Sequence, residues 1–505
     1  MKKLFFFSLF TLSLYAIEIK IASYNVENLF DMRNDGSEYL QYKPNKHNWN
    51  RQNYQKKLQN ISEVICDIDS DIIALQEVEN RNVLRDLQRL LREVGCSYRY
   101  SAITTKKESA IQVAVLSKLP IVASREIVVN YRLEYRNILE LKYSIDGKSL
   151  LIYVNHWSSK KSKESRRVRS AKALKKRVLA LPKDTDYILL GDFNSNYNEY
   201  KHLESRLNDT KGVVGINHIL HTISNDKLVK EIDMKNSKKF QHYNSWLELA
   251  NFQRWSHNFY GKKQGLDAIL LPKSMFDGKG IDYVNDSFSV FKASYLFHKK
   301  GYINRWQYKN RRHLGEGYSD HLPIVATFST KPYIFNSSRE RVVEGNISRL
   351  YKKSFTNALY LKEVKVIFKS KYHAIIKQRK NGRAIFVYGA EDLALAKSYD
   401  LLIYKRNIYR GLHEIVNYSI EYNYGDVDID PYYYKGELDF KNRALENELL
   451  AEVEGVYKQE RLYINGKAYP IYFKKRALKP KDGSYLKLKK VQIGYHNRLQ
   501  LVVWE

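Results

Sequence analysis

The sequence contains little that would build a fold on covalent cross-links or hold it in a membrane. Only 2 of its 505 residues are cysteines, Cys66 and Cys96, which excludes a disulfide-built framework. The two could pair in an exported protein, but Cys66 lies in a helical pattern, and a buried free thiol fits the sequence no less well. Beyond the amino-terminal segment no stretch is long and apolar enough to span a bilayer. We therefore expect no stable membrane insertion.

Acidic residues are also scarce relative to basic ones. The chain has 86 Lys and Arg against 55 Asp and Glu, which gives a formal net charge of +31. So large an excess favours a polyanionic partner, such as nucleic acid, an anionic membrane surface or acidic glycans. Because some bacterial lineages have basic proteins throughout, charge alone does not choose among these partners.

The amino terminus has the pattern of a secretory signal peptide over residues 1–16. Lys2 and Lys3 precede an apolar core from Leu4 to Leu14, and the small residue Ala16 follows where cleavage would fall. No cysteine follows the apolar core, which argues against a lipid anchor. The sequence therefore predicts export to the periplasm or the extracellular space.

One short stretch suggests where the chemistry lies. The apolar run from Ile188 to Leu190 predicts a buried strand, which continues into Gly191. Asp192 and Asn194 then follow two residues apart, so their side chains would project from one side of an extended chain. A strand followed by an ordinary Asx turn would give the same letters. The choice between an active-site rim and a turn depends on whether the pattern recurs.

The pattern does recur along the chain. Predicted strands carry an acid, amide or imidazole at one end at Asn25, Glu77, His156, Asp267, Asp320 and His321. Glu77 directly follows the apolar run Ile72 to Leu75, and a glutamate is rarely buried unless it is paired or binds a metal. A set of polar strand ends therefore predicts one functional site.

Six motifs surround these residues in order: SYNVENLF around Asn25, ALQEVEN around Glu77, VNHWSSK around His156, LLGDFNSN around Asp192, GLDAILLP around Asp267 and GYSDHLPI around His321. Together they resemble the deoxyribonuclease I-like endonuclease/exonuclease/phosphatase superfamily. The resemblance spans residues 19–329, and the stretches before Asp267 and before the last motif look like the branch of exported bacterial nucleases. It implies an α+β fold, a four-layer α/β/β/α sandwich with the site at one end.

The resemblance also implies a divalent cation. Glu77 would be its principal ligand, with Asn25 nearby and Asp320 as a further ligand. Hard oxygen donors of this kind suit Mg²⁺, or else Mn²⁺ or Ca²⁺. One departure is Glu79, which stands where some nucleases of the family place a basic residue near DNA.

The remaining motif residues take roles in phosphodiester hydrolysis by the same resemblance. His321 would be the general base, oriented by Asp267, and Asp192 would help to position the attacking water. Asn194 and His156 would bind the scissile phosphate. Arg136 is a weaker candidate for a phosphate contact.

Basic residues before the last motif favour a nucleic-acid substrate. Four of them would place cations beside the site: Lys300, Arg305, Arg311 and Arg312. A solvated basic loop is the alternative. A sphingomyelinase of the same fold would need an exposed apolar hairpin for membrane contact, and the sequence offers no clear candidate.

The carboxyl-terminal part, after a predicted catalytic domain over 17–330 and a linker over 331–350, has the pattern of two small barrels. Segments 351–425 and 446–505 alternate as strands do, are rich in Tyr and Lys, and repeat one another, with hairpin turns predicted at Asn381-Gly382 and Asn465-Gly466. Their layout resembles oligonucleotide-binding (OB) folds. Exposed Tyr and Lys would suit single strands, although the modules could equally serve only to stabilise or dock.

We interpret the sequence as an exported, divalent-metal-dependent nuclease that hydrolyses DNA, with RNA as a second polymer, and with no protein partner predicted. A phosphodiesterase or phosphatase of the same fold, acting on lipid or on small phosphate esters, is the main alternative. A non-catalytic nucleic-acid-binding or adhesion protein is the second alternative, which the complete set of acids and histidines disfavours.

Overall fold

The computed structural model describes residues 16–259, 261–298, 301–334, 342–352 and 358–504. The predicted signal peptide, apart from residue 16, and Lys300 therefore lie outside the described residues. The chain divides into two compact units. The first unit comprises Met1–Glu248 and Trp255–Phe335, and the second comprises Leu249–Arg254 and Asn336–Glu505.

The first unit contains five α-helices, two of them a short turn or two, and nineteen strands among its described residues. The helices are α1 (Arg51–Ile68), α2 (Arg81–Glu93), α3 (Glu164–Leu179), α4 (Glu199–His202) and α5 (Glu231–Asn236). The strands are β1 (Glu18–Leu29), β2 (Ile72–Val78), β3 (Tyr100–Ile103), β4 (Gln112–Ser117), β5 (Ala123–Ile127), β6 (Ile138–Ile145), β7 (Lys148–His156), β8 (Tyr187–Asp192), β9 (Ile223–Ser224), β10 (Lys227–Leu228), β11 (Tyr243–Asn244), β12 (His257–Phe259), β13 (Lys262–Gln264), β14 (Asp267–Leu271), β15 (Asp282–Tyr283), β16 (Ser289–Val290), β17 (Tyr308–Lys309), β18 (Arg312–His313) and β19 (Ile324–Ser329).

Two sheets packed face to face form the centre of the first unit. One has the strand order β15-β19-β1-β2-β4-β3, with β16 also paired to β19, and the other has the order β11-β14-β8-β7-β6-β5. Strands β1 and β2 contact β7 and β8 across the interface. The outer face of the first sheet packs on α1 and α2, whereas α3 buries Val168, Ala171 and Leu174 beside the second sheet. The predicted α/β/β/α sandwich is confirmed.

Helix α1 shows how local sequence sets these layers. Its side chains at Leu58, Ile61 and Ile65 recur at helical spacing and are buried against the first sheet. Asn50 caps the amino terminus, because its side chain accepts the N–H of Asn53 at 3.0 Å. Asp69, in the left-handed conformation, ends the helix. None of the helices among the described residues is long and apolar enough to cross a membrane.

The two cysteines are joined. Cys66 in α1 and Cys96, three residues after α2, form a disulfide with their Cα atoms 5.6 Å apart. The sequence pattern left a buried free thiol as an alternative, because the pairing depends on how α1 and α2 pack side by side. The bridge fastens these two outer helices to one another.

The second unit is built from two five-stranded barrels that follow one another in the chain. Its strands are β20 (Val343–Gly345), β21 (Leu359–Lys369), β22 (His373–Lys377), β23 (Ala384–Tyr388), β24 (Lys397–Tyr409), β25 (Leu412–Asp426), β26 (Leu449–Lys458), β27 (Arg461–Ile464), β28 (Lys467–Phe473), β29 (Tyr485–Tyr495) and β30 (Leu499–Val503). The first barrel closes through β21-β22-β23-β25-β24 and back to β21, with β20 added beside β21. The second closes through β26-β27-β28-β30-β29.

The two barrels share one topology, as the predicted repeat implies. In each, the third strand pairs in parallel with the fifth: β23 with β25, and β28 with β30. The predicted turns at Asn381-Gly382 and Asn465-Gly466 connect the second strand to the third in both copies. Residues 343–345, within the predicted linker, form β20 and so belong to the first barrel's sheet.

Short 3-10 and π-helical turns complete the described structure. One π-helical turn spans Gly215–Ile219. The 3-10 turns are Leu40–Tyr42, Ser245–Glu248, Asn251–Gln253, Lys273–Phe276, Ser294–Leu296, Ile347–Tyr351, Asp430–Tyr432, Arg443–Leu445 and Arg476–Leu478.

A buried acid at the start of β8 should make the stability of the first unit depend on pH. Asp186 is 7% exposed, and its Oδ2 accepts the N–H of Ile281 at 2.8 Å. Burial, with repulsion from Asp277, raises the pKa of Asp186 to about 7. The folded state therefore holds this proton more tightly than the unfolded state. The resulting stabilisation is complete below the unfolded pKa and is lost as pH rises through about 7.

We expect Asp186→Asn to remove this pH dependence. Between about pH 5 and about pH 8, the free energy of unfolding should fall roughly 2 kcal/mol less in the variant than in the parent. Urea denaturation at both pH values measures the difference. Asp184→Asn, at an exposed position two residues earlier, is the matched control and should follow the parent. Parallel curves for Asp186→Asn and the parent would contradict the assignment.

Candidate active site

Polar side chains from both sheets meet at one edge of the sandwich. Strands β14 and β19 run antiparallel to β8 and β1, so their beginnings lie at the same edge as the carboxyl-terminal parts of β1, β2, β7 and β8. The structure brings together all eight of the predicted catalytic and metal residues there: Asn25, Glu77, His156, Asp192, Asn194, Asp267, Asp320 and His321.

A bulge directs Glu77 into the site. The pairing of β2 with β4 shifts register between Gln76 and Val78, and Glu77 adopts a φ of +67°. Such a φ is uncommon for a residue with a side chain, and bulges often re-aim side chains beside active sites. The Glu77 Oε2 atom accepts the N–H of Asn28 at 3.0 Å. Burial, and then the charge of Asp320, raises the pKa of Glu77.

Asn25 links the two sheets. Its Nδ2 donates to Glu77 Oε1 at 3.0 Å and to Asp192 Oδ2 at 3.1 Å. Its oxygen accepts the N–H of Glu27 at 3.0 Å. In this orientation the Asn25 amide nitrogen holds two carboxylates side by side. Direct ligation by the Asn25 oxygen stays a prediction.

The close approach of β7 and β8 requires a glycine. Gly191 has a φ of +129°, and a Cβ atom there would lie 2.1 Å from the carbonyl oxygen of Asn155. This contact allows the last residues of both strands, His156 and Asp192, to lie opposite one another. Asn194 then donates its backbone N–H to Asp192 Oδ1 at 2.8 Å. The spacing that first suggested a site is therefore used to fix the Asp192 carboxylate.

His321 and Asp267 form the pair that the motifs predict. His321 Nδ1 and Asp267 Oδ2 lie 2.7 Å apart, and the Ser256 hydroxyl also donates to Asp267 Oδ2 at 2.6 Å. His321 Nε2 lies 4.0 Å from both Asp192 Oδ2 and Asp320 Oδ1. Burial opposes the charge on the imidazole, but Asp267 and then Asp192 outweigh burial and raise the pKa of His321 well above its usual value.

The surroundings of His156 shift its pKa in the opposite direction from that of His321. His156 is buried, and its Nε2 lies 3.7 Å from both Glu77 Oε1 and Asp192 Oδ2. Burial, with repulsion from Arg136 and His321, holds the pKa of His156 well below its usual value. The two histidines of the site therefore differ in protonation: His156 is neutral at neutral pH, whereas His321 keeps its proton among uncompensated carboxylates.

The predicted substrate-binding residues occupy different places. Arg305 is ion-paired with Glu27 and lies 3.6 Å from Asp320 Oδ2, so it belongs to the site. Arg136 donates to the carbonyl of Trp157 at 3.2 Å and is close enough to affect the pKa of Glu77 and His156. Arg311 and Arg312 lie exposed on the separate β17–β18 hairpin. Lys300 lies outside the described residues.

The structure adds residues that the motifs did not single out. His257 pairs with His321 through an isolated β-bridge, and its Nε2 lies 3.9 Å from Asp320 Oδ2. Lys57 is buried in α1 and donates to the carbonyl of Tyr318 at 3.0 Å. Glu27, two residues after Asn25, has its pKa raised by burial and by Asp320. The proximity of Glu27 to Asn25 was the one available signal, because His257 and Lys57 arrive from distant segments.

The donor set suits a divalent cation. Carboxylates of Glu77, Asp192 and Asp320 converge on one place, and Asp320 and Glu77 interact electrostatically strongly enough to raise the pKa of Glu77. Two groups that could hold an ion lie here, Asp192 with Asp267 and His321, and His257 with Asp320 and His321. Hard oxygen donors in this number favour Mg²⁺ or a similar ion. Asp320 belongs to one of these groups and Glu77 to neither of them, so the role of Glu77 as principal metal ligand stays a prediction.

Glu79 lies in a third acidic group, outside the strand-end cluster. It is 2% exposed, and its Oε2 accepts the N–H of Asp31 at 2.7 Å. Asp35, Glu38 and Glu79 have carboxylate oxygens within 4.8 Å of one another. Burial, with repulsion from Asp31, raises the pKa of Glu79 to about 8. Because its side chain is buried, Glu79 is not placed to contact DNA as the basic residue of some family nucleases would be.

Glu77→Gln should weaken binding of a divalent cation without unfolding the protein. Glutamine keeps an oxygen for the N–H of Asn28 but removes the charge that attracts the ion. The loss in affinity for Mn²⁺ should be at least the roughly 10- to 100-fold that follows loss of a residue supporting a metal ligand. Isothermal titration calorimetry measures it, with Glu93→Gln at the exposed end of α2 as the control. Equal affinities for parent and Glu77→Gln would remove Glu77 from the metal site.

The chain was compared with curated proteins and with solved structures. No curated protein matches the sequence. Similar solved structures include TDP2 of D. rerio complexed with single strand DNA product (16% identity, 62% of this chain and 98% of that chain covered, TM-score 0.38). An endonuclease/exonuclease/phosphatase family protein from Bacteroides thetaiotaomicron matches at 14% identity over 62% of this chain and 98% of that chain (TM-score 0.39), and one from Leptotrichia buccalis at 16% over 61% and 99% (TM-score 0.36).

The assignment rests on a family model. The model of the Endonuclease/Exonuclease/phosphatase family matches residues 20–330, more than half of the chain. This range contains every described residue of the strand-end site. Members of the family are metal-dependent phosphoester hydrolases. The chain therefore belongs to the endonuclease/exonuclease/phosphatase family.

Proposed function

We propose that the protein is an exported, divalent-metal-dependent nuclease that hydrolyses phosphodiester bonds of DNA, and of RNA as a second polymer. The observation that carries this proposal is the His321–Asp267 pair, in which His321 Nε2 lies 4.0 Å from both Asp192 Oδ2 and Asp320 Oδ1. A phosphodiester hydrolase must move a proton, position water and offset charge on the reacting phosphate, and this cluster has groups for each task.

His321 is the group that transfers a proton. Its Nδ1–H is directed at Asp267, so Nε2 is the atom that faces the reacting groups. With the carboxylates uncompensated, the raised pKa keeps Nε2 protonated. The predicted base role therefore requires that positive charge offset Asp192 and Asp320. When bound at Glu77, a divalent cation supplies that charge and Lewis-acid stabilisation of the phosphate.

The other residues position the substrate. His156 is neutral and buried, so its ring can form a hydrogen bond to a phosphate oxygen without adding charge. Asn194 is 7% exposed and is fixed by its Nδ2 bond to the carbonyl of Trp157 at 3.1 Å. Arg305 and Arg136 add cations at the rim. Asp192, held by Asn25 and Asn194, orients the attacking water.

Nucleic acid is the substrate that the charge favours. A net charge of +31 gives long-range attraction to a polyanion, and Arg305 and Arg136 extend that attraction to the site. The segment over residues 1–16, with its signal-peptide pattern, supports export. The Cys66–Cys96 disulfide is consistent with it, because disulfides persist in oxidising compartments. The two barrels would assist binding of the polymer.

A phosphodiesterase acting at a lipid surface is the second candidate. The loop between β5 and β6, which leads to Arg136, exposes apolar side chains: Tyr131 is 91% exposed and Leu133 is 51% exposed. The sequence has no clear apolar hairpin, and among the described residues this loop is the candidate for contact with a lipid surface. Exposed apolar side chains beside a site are a feature that membrane-contacting surfaces share, although Arg132 separates the two here.

Hydrolysis of supercoiled plasmid, linear DNA, RNA and sphingomyelin, each with Mg²⁺ and with chelator, tests the proposal. We expect chelator-sensitive cleavage of DNA by the mature parent protein. His321→Ala should lower the rate of cleavage by at least about 100-fold, because loss of proton transfer typically costs that much. His202→Ala, an exposed histidine on α4, is the matched control and should keep the parental rate.

The outcomes separate the candidates. Nicking of closed-circular plasmid would identify endonuclease action. Cleavage of sphingomyelin with no attack on either nucleic acid would overturn the substrate and retain the metal chemistry. A parental rate in His321→Ala would overturn the mechanism.

A further inference from the structure

The second unit contains a cleft that the proposed hydrolysis does not use. It has a volume of about 390 Å³ and lies between the two barrels. Its walls come from β22, β23 and the β24–β25 hairpin on one side, and from β28, β29 and β30 on the other. The cleft falls within the roughly 300–1,000 Å³ range of sites that bind small molecules or single groups of a polymer.

Aromatic side chains dominate the walls. They include Phe386, Tyr388, Tyr409, Tyr472, Tyr495 and Trp504. Tyr388, Tyr409 and Tyr472 are 37%, 56% and 49% exposed. Leaving such large rings in contact with water is unfavourable, and their clustering around one cleft indicates that a flat or apolar partner covers them.

The floor of the cleft is rigid. The Trp504 ring stacks on Phe386 with centroids 5.9 Å apart and an angle of 21° between the planes. Trp504 Nε1 donates to Gln492 Oε1 at 2.9 Å, which fixes the indole in place. Trp504 and Phe386 also belong to an apolar cluster shared by the two barrels. A ring held this way loses little entropy when a ligand stacks on it.

An ion pair and a hydrogen bond, both buried, connect the first barrel to the segment just before the second barrel. Lys377 of β22 and Glu448, the residue before β26, are both buried and lie 2.5 Å apart between Nζ and Oε2. The His413 N–H of β25 donates to Glu446 at 2.6 Å. Breaking such contacts would leave uncompensated buried charges. The cleft is therefore present before any ligand binds.

Positive charge lies among the rings. Lys474 Nζ lies 4.7 Å from the centroid of Trp504, and the Arg410 guanidinium lies 5.5 Å from that of Tyr409. Among the described residues that line the cleft, Glu414 is the one carboxylate. The balance favours a ligand that has both flat rings and negative charge.

We propose that this cleft binds unpaired bases of a single-stranded nucleic acid, with bases stacked on Trp504 and the exposed tyrosines and with phosphates beside Arg410 and Lys474. Stacking on aromatic rings within a basic groove tolerates any base sequence. A base paired in a duplex has both faces covered, so the cleft selects single strands. The inference deepens the proposed nuclease function, but stacking itself does not depend on hydrolysis.

Binding of a fluorescein-labelled oligothymidine of about ten nucleotides to the full-length protein tests the proposal. Chelator stops hydrolysis, and electrophoresis of the recovered oligonucleotide verifies that it is intact. We expect the double variant Tyr409→Ala/Tyr472→Ala to raise the Kd by about 5- to 100-fold, the range for loss of base stacking. Tyr422→Ala/Tyr485→Ala is the matched control, because these tyrosines are 57% and 66% exposed and lie outside the cleft.

A second measurement reports on the cleft directly. Trp504 is the only one of the six tryptophans within residues 336–505, so the fluorescence lost in Trp504→Phe belongs to this position. Oligothymidine should quench that component, whereas an abasic strand of equal length, with the same phosphates, should not. Equal quenching by the abasic strand or by an acidic polysaccharide, or an unchanged Kd in the cleft double variant, would overturn the proposal.

The binding measurements and the nuclease assay can fail independently of one another. Quenching of Trp504 without cleavage of DNA would retain the binding site and remove the nuclease function. Cleavage of DNA with no quenching and no effect of the tyrosine variants would retain the nuclease and remove the site.

Discussion

Mutual repulsion among buried and half-buried carboxylates is the constraint on which the site depends. Glu27, Glu77, Asp192, Asp267 and Asp320 lie at one edge of the sandwich, and each desolvated charge is costly unless it is compensated. The surrounding structure supplies that compensation. Arg305 pairs with Glu27, and Asn25 donates hydrogen bonds to two carboxylates. The charges of Asp267, Asp192 and Asp320 raise the pKa of His321, so its imidazole retains a proton. The remaining negative charge is what a divalent cation would neutralise.

Backbone geometry answers the same constraint. Glu77 reaches the cluster through a bulge with a positive φ, and Gly191 lets two strands approach until His156 and Asp192 lie opposite one another. Strained or unusual backbone of this kind persists where the surrounding packing enforces it. The two sheets thus hold together carboxylates that would repel one another apart in water. Burial of the hydrophobic core behind them supplies the free energy that offsets this repulsion.

The strand ends that meet at this edge can be located from the sequence because the information is local. A polar residue at the end of an apolar run can be recognised from its neighbours alone, and Asn25, Glu77, His156, Asp192 and His321 are located in that way, whereas their chemical roles stay predictions. His257 and Lys57 are not recognised in this way, because they reach the cluster from β12, through its bridge to His321, and from α1. The bulge at Glu77 depends on pairing between strands distant in sequence. The cysteine pair was undecided for the same reason.

The second unit follows a similar division. Period-two alternation and two Asn-Gly turns predict the barrels, because hairpins are local. The parallel pairing of β20 with β21, and the cleft between the barrels, depend on long-range contacts that no single segment specifies. The two barrels share one topology, and together they form a cleft that neither barrel has alone.

The Cys66–Cys96 bridge has a consequence for the site as well as for the helices that it joins. The covalent loop spans 30 residues and includes all of β2, so Glu77 lies inside it. In a chain-entropy account a loop of this length stabilises the fold by roughly 3–4 kcal/mol. The strand that carries Glu77 is thereby coupled to the redox state of its surroundings. Reduction of the bridge would remove this restraint on the unfolded chain, so the stability of the region around Glu77 would differ between reducing and oxidising conditions.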